Sequence, residues 1–292
     1  MTLEPGTNVS GPVTPSPLAQ DRAAYRRSRA RRSTLVALVS TVVFATAVGV
    51  GLVNTPGWPR VQAAFLDPRV AWESLPTVLA GLWLNIRVLV VAEIGILALG
   101  LVIALLRTLR GPVFFPVRAL AIGYVDLFRG VPLLIALYLI GFGLPALRLQ
   151  GIPNDIAVLG TIALILVYSA YVAEVFRAGI ESVHPSQRAA ARSLGLTHRQ
   201  TMRIVVLPQA LRTVTPALLN DFVALQKDVG LISVLGAVDA VRSAQILVGQ
   251  SFNFTPYVVA GLLFVLLAVP SARLADAVTA RARRRQQSGG LL

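Results

Sequence analysis

The sequence predicts an all-α integral membrane protein with six transmembrane helices, and three observations carry that prediction. Apolar residues make up 55% of the 292 positions and charged residues only 14%, whereas a soluble domain carries about 25% charged residues. The apolar residues fall into runs of about 20, the length a helix needs to cross roughly 30 Å of hydrocarbon. Arginines cluster at the ends of these runs rather than within them. Helices suit such runs because each one satisfies its own backbone hydrogen bonds without water.

Residues 1–33 read as a disordered, basic cytoplasmic tail rich in Pro, Ser and Thr. The tail ends in Arg22, Arg26, Arg27, Arg29, Arg31 and Arg32. The apolar run that follows, from Ser33 to Val53, is too long for a cleaved signal sequence and is read as an additional first transmembrane helix over 34–53. Residues 54–80 form an outer connection containing Pro56, Pro59, Pro68 and Pro76. Its Trp58 and Trp72 suit the headgroup boundary, so an irregular stretch with one short interfacial helix is expected there. The remaining spans are Leu82–Leu106, Leu120–Leu147 (interrupted), Ile156–Phe176, Val214–Val238 (interrupted) and Pro256–Val278. Residues 282–292 form a second polar tail.

Charge sets the expected orientation. Twenty-one basic residues fall on the side of the two tails and the loops after spans two and four, against Arg60, Arg69, Arg148 and Arg242 on the other. Positive residues accumulate on the cytoplasmic side, so both termini are expected in the cytoplasm and the chain in the cell membrane, in contact with lipid. The net charge of +14 therefore reflects loop charge. A nucleic-acid surface would concentrate its basic residues on a solvated domain, beside stacking aromatics. Cysteine is absent, and His184 and His198 lack the spacing of metal ligands, so no metal or other cofactor is expected. No nucleophile–base constellation is visible, and the chain is not read as an enzyme.

The loop 177–212 carries the functional argument. Pro185 and Ser186 open a short helix through Leu194, sustained by alanines. Gly195 supplies a C-cap, and Thr197 caps a second helix from His198 to Val206, which Pro208 is expected to interrupt. A helix–Gly–helix hairpin with arginine on its surface fits docking into another protein. A solvated loop that merely joins two spans fits the same composition.

This run resembles the cytoplasmic coupling loop of ABC importer permeases, whose pattern is Glu-Ala-Ala, three residues, Gly, nine residues, Ile, one residue, Leu-Pro. Ala190 and Ala191 match the alanines, Gly195 the glycine, Val205 the isoleucine, and Leu207 and Pro208 the end. DLFRGVPLLIALY (Asp126 to Tyr138), AEVFRAGIESV (Ala173 to Val183), LPQALRTVTPALLN (Leu207 to Asn220) and LQKDVGLISVLG (Leu225 to Gly236) are similar to the polar amino-acid uptake branch. The resemblance spans residues 81–281. It implies a type I importer permease that forms the pathway for a small polar solute, most readily an amino acid. The implied partners are an ABC ATPase subunit, a second copy or sister permease, and an extracytoplasmic solute-binding protein. Independently, no Gly-x-x-x-x-Gly-Lys-Ser/Thr occurs, so the energy source is expected in a partner.

The chain departs from the pattern at three places. The acidic position is Ala189; Lys-Asp-Thr-Ser-Leu reads Lys227-Asp228-Val229-Gly230-Leu231; and Val167, Tyr168, Ser169 and Ala136 stand where polar residues are usual. Ionisable residues within spans mark pathways or internal pairs. Gln226, Lys227, Asp228, Tyr168 and Ser169 are the candidate pathway residues, with Asn220 and Asp221 nearby. A Lys227–Asp228 ion pair that merely holds a helix break is the competing reading. Asp126 and Arg129, three apart, are expected to pair, as are Glu174 and Arg177. Glu93 stands alone in mid-span. The alternative function is an ion-gradient-driven secondary transporter using Glu93 or Asp228, which would predict two related halves.

Overall fold

A computed structural model describes residues 17–288 except 110, 149 and 152. Among the described residues the chain is helical with no strand, and it divides into two units, Met1–Val61 and Gln62–Leu292. The first contains α1 (Pro17–Val53), whose stretch Arg32–Val53 is long and apolar enough to cross a bilayer. Residues 1–16 of the expected disordered tail lie outside the described residues. From Pro17 onward the structure corrects that expectation, because the tail is already helix. Alanine, leucine, glutamine and arginine fill this stretch and all are strong helix formers. A short helix, α2 (Trp58–Phe65), follows.

The outer connection is shorter than expected, because α3 (Pro68–Arg107) starts well before residue 81. Asp67 caps it by accepting from the N–H groups of Arg69 and Val70, and Pro68 stands in the first turn, where its missing N–H costs nothing. In the same unit Phe65 stacks on Phe254 at 5.0 Å, and the Asn253 amide donates to the Ala63 carbonyl.

The central core lies between α3 and α6 (Ile156–Ser182), where Val88, Leu89, Ala92 and Ile96 meet Ala163, Leu164, Val172 and Phe176. The two interrupted spans wrap this pair. The first consists of α4 (Phe115–Gly130) and α5 (Leu133–Ala146), bent by 108°. Pro132 disfavours helical backbone at Val131, which is extended (φ −91°, ψ 126°), so α4 ends at Gly130. The second runs from α9 (Leu207–Asp228) through a 3₁₀ segment, Val229–Leu235, to α10 (Ala240–Ser251), with a 50° bend. Gly236, at φ +99°, stops the 3₁₀ segment, and Asp239 caps α10. The last helix is α11 (Thr255–Ser288). Among the described residues four single helices are long and apolar enough to span a membrane, or up to six spans if each bent pair counts as one.

The connection between α6 and α9 is also shorter than the expected 177–212. The α6 helix continues to Ser182, so the hairpin occupies 183–206 with α7 (Pro185–Ser193) and α8 (His198–Thr201). Pro208 does not interrupt the second helix. A π-turn over Met202–Val206 leads into α9, with Leu207 N–H bonding Met202 O, and Pro208 falls in the first turn of the new helix. The widened turn accommodates a residue that cannot donate.

Candidate functional site

The hairpin is built from its caps. At the end of α7, Leu196 N–H bonds Ala191 O at 3.2 Å and Gly195 N–H bonds Arg192 O at 2.9 Å, the paired bonds of a Schellman motif. Gly195 sits at φ +80°, left-handed backbone that suits glycine. Thr197 and Gln200 then form a reciprocal capping box on α8. Ile180, Val183, Val206 and Ala210 pack together with Met202 and Leu105, fixing the hairpin to the ends of α6, α9 and α3. Of the motif residues, Ala191 is buried within the hairpin, Val205 and Leu207 are half-buried, and Ala190, Gly195 and Pro208 are exposed.

An ion network joins this end of the bundle. Arg107, the last residue of α3, donates to Glu174 at 2.7 Å; Arg177 donates to the same carboxylate and also pairs with Glu181. The expected Glu174–Arg177 pair is therefore present, with Arg107 and Glu181 added from positions that spacing alone did not connect.

A second site lies where α4 breaks. A pocket of about 430 Å³ is bounded by Arg129 to Leu133, by Val167, Tyr168 and Tyr171 of α6, and by Asp221, Ala224 and Asp228 of α9. Tyr168 donates to the Asp228 carboxylate at 2.6 Å. The Arg129 guanidinium lies 5.7 Å over the Tyr171 ring, and the Tyr171 hydroxyl donates to the Arg129 carbonyl. One carboxylate oxygen of Asp221 is buried without a hydrogen-bond partner. The pocket thus presents one cation and two carboxylates around a wall of aromatic rings.

The structure brings together only part of the expected pathway set. Tyr168 and Asp228 line the pocket. Ser169 is fully buried and occupied by Tyr124 and the Leu166 carbonyl. Gln226 is 2% exposed and donates to Ser271 of α11, so it ties two helices together. Lys227 is exposed and is not a lining residue; among the described residues it makes no ion pair with Asp228. Arg129 is likewise not paired with Asp126, because Tyr171 holds it. Ala136 is buried in the core, and Glu93 is half-buried on α3.

Sequence reasoning missed a buried polar knot. Asn85, fully buried on α3, donates to the Asp239 carboxylate and the Val229 carbonyl and accepts from Ala240 N–H. A lone Asn within LWLNIRVL was the available signal. Tyr171 and Thr201 were also missed, since neither belongs to a polar run.

These elements define a class: a membrane transport subunit whose spans break where polar groups gather and whose hairpin rests on the ends of three core helices. Residues 96–284 match the family described as the binding-protein-dependent transport system inner membrane component, and the chain belongs to that family. It is 34% identical over 203 residues to the arginine transport system permease protein ArtQ of Bacillus subtilis (strain 168), covering 69% of this chain and 90% of that protein. Identity to the probable glutamine ABC transporter permease protein GlnM of the same organism is 33% over 208 residues, 70% of this chain and 93% of the relative. Among solved structures, an amino acid ABC transporter with histidines superposes with a TM-score of 0.66 at 34% identity, covering 74% of this chain and 98% of that one. The inward-facing MetNI methionine transporter, at 21% identity and a TM-score of 0.57, shares the fold.

Proposed function

We propose that this chain forms the translocation pathway of an ATP-driven importer for a small polar solute, an amino acid in the first instance. The observation that carries the reading is the hairpin at 183–206, with its Schellman turn at Gly195 and its motif spacing intact, in a chain without a phosphate-binding loop. ATP is hydrolysed in a cytoplasmic ATPase subunit on which the hairpin docks. A solute-binding protein delivers cargo from outside, and a second permease, identical or sister, completes the pathway. The excess of arginine on the hairpin side supports a reading with both termini in the cytoplasm.

The pocket at the α4–α5 break lies on the pathway. Arg129 faces a carboxylate of the solute while Asp221 and Asp228 face its ammonium, so the mixed charge suits a zwitterion. The amino-acid names of the relatives support this assignment. The ion-gradient alternative built on Glu93 and Asp228 finds no support among them.

The test is reconstitution of the permease with its ATPase and binding protein in liposomes, followed by uptake of labelled amino acids. Uptake that requires ATP inside the ATPase-facing compartment is expected. Uptake that follows an imposed ion gradient without ATP would overturn the reading.

A further inference from the structure

Beside the hairpin lies a pocket of about 430 Å³ lined by Val183, Pro185, Arg188, Arg192, His198 and Thr201, among others. Ala189 is on its wall, at the position where the coupling-loop pattern has an acid. Two donors in this pocket are orphaned. Thr201 is 5% exposed with its hydroxyl unpartnered, and the Arg188 Nε is buried without a partner. The other end of the Arg188 guanidinium is engaged by the Ile180 carbonyl, which holds the side chain in place. Arg192 and His198 are exposed. The only carboxylate in the lining, Glu181, is already paired with Arg177.

Buried donors left unmatched cost free energy unless an acceptor arrives. The lining holds a fixed guanidinium, a buried hydroxyl and a second, exposed arginine beside a residue too small to fill the space. That is a receptor for a carboxylate.

We propose that an acidic side chain of the ATPase subunit inserts into this pocket, so that the partner supplies the negative charge that Ala189 lacks. This rests on the reading of the hairpin as the ATPase-docking element. The contact then runs with the permease positive and the ATPase negative, and Arg188 and Thr201 are the residues that bind the inserted carboxylate. A permease carrying glutamate at position 189 would fill the pocket from within and exclude that partner, so the substitution selects the ATPase this chain accepts.

The experiment measures affinity between the detergent-solubilised permease and its ATPase subunit at low and physiological salt. The variants are Ala189→Glu, Ala189→Gln, Arg192→Glu and Gly195→Val. Ala189→Glu and Arg192→Glu are each expected to weaken association about tenfold, with Ala189→Gln, which fills the space without adding charge, weakening it less. Both acidic variants alter exposed positions on α7, so the bundle still folds. Loss of binding in Gly195→Val with unchanged or tighter binding in Ala189→Glu would overturn this proposal while leaving the hairpin reading intact. No association by the wild type would overturn both. Unchanged ATPase affinity in the acidic variants, with loss of a co-purifying anionic lipid, would give the pocket to a lipid headgroup and sink the proposal.

Discussion

Asn85 and Asp239 stand 154 residues apart in the chain and meet at 2.9 Å in the core. Asn85 spends its whole amide on the second helix break, donating to Val229 O and Asp239 and accepting from Ala240 N–H. Asp239 in turn caps α10 through Arg242 N–H at 2.8 Å. One side chain on α3 therefore fixes both ends of the irregular segment that interrupts the α9–α10 span. Backbone that leaves helix within a membrane is tolerated only where protein groups satisfy it.

Replacing Asn85 with Leu keeps the branched shape and heavy-atom count but removes every hydrogen bond the amide makes. It removes the side-chain partner of one Asp239 carboxylate oxygen, the Val229 carbonyl and the Ala240 N–H in the buried core, at a cost of about 3 kcal/mol. Thermal unfolding of the purified protein in detergent is expected to show a clearly lowered midpoint. A midpoint within error of wild type would mean that the knot does not hold the break.

The same contact requires a glycine on α3. A Cβ at Gly81 would sit 2.4 Å from the Asp239 carbonyl carbon and 2.5 Å from its oxygen, and backbone cannot yield as a side chain tip does. Gly81→Ala is expected to lower yield and thermal stability, while Gly123→Ala, with nothing within 4 Å, should be silent. Comparing the two in one melting series controls for helix propensity.

At Gly195 the constraint is conformational, since a Cβ there meets nothing within 4 Å. Asparagine tolerates left-handed backbone and should preserve the hairpin, whereas valine is strained by about 1–2 kcal/mol. Binding-protein-stimulated ATPase activity should survive Gly195→Asn and collapse in Gly195→Val, with thermal stability of the bundle nearly unchanged. Equal activity in both would detach the hairpin from coupling.

The Arg107–Glu174 pair is partly buried, with side chains 14% and 26% exposed, whereas Arg69–Glu73 is 86% and 60% exposed. A double-mutant cycle to alanine should give a coupling of about 1–2 kcal/mol for the first and about 0–0.5 kcal/mol for the second. Chemical denaturation of the wild type and the three variants of each pair checks this.

Tyr168→Phe removes the hydroxyl that holds Asp228 and keeps the ring. Transport is expected to fall several-fold with little change in melting temperature, because the ring and its packing remain. A loss of stability without a change in transport would instead make the bond an internal tie between α6 and α9.

Which features were legible in the sequence follows from what each depends on. The hairpin was readable because caps are local: Gly195, Thr197 and Gln200 act within a few residues of one another. The first broken span was readable because Pro132 acts on its immediate neighbour. The second was expected within 214–238, but α9 stays helical to Asp228, the break falls after it, and the span resumes as α10 at Ala240. Local signals misled at Pro208, where a π-turn absorbs the missing donor, and at Pro17–Ser33, where helix propensity outweighed polar composition. Only Tyr168 and Asp228 of the pathway candidates line one pocket, because helical spacing shows which residues share a run, without showing which way the run faces. Gln226 turned toward Ser271 and Asp228 toward Tyr168, two residues apart on one helix.

By itself the sequence determined that this is a membrane bundle, that one span breaks at Pro132, and that one loop folds as a capped hairpin. Those properties depend on hydropathy and on interactions across a few residues. Only the tertiary structure decided that Arg129 lies over Tyr171, that Asn85 closes on Asp239, and that Arg188 and Thr201 share a pocket beside Ala189. Each of those depends on the rotation of one helix against another, and that is set by side-chain packing across the whole bundle.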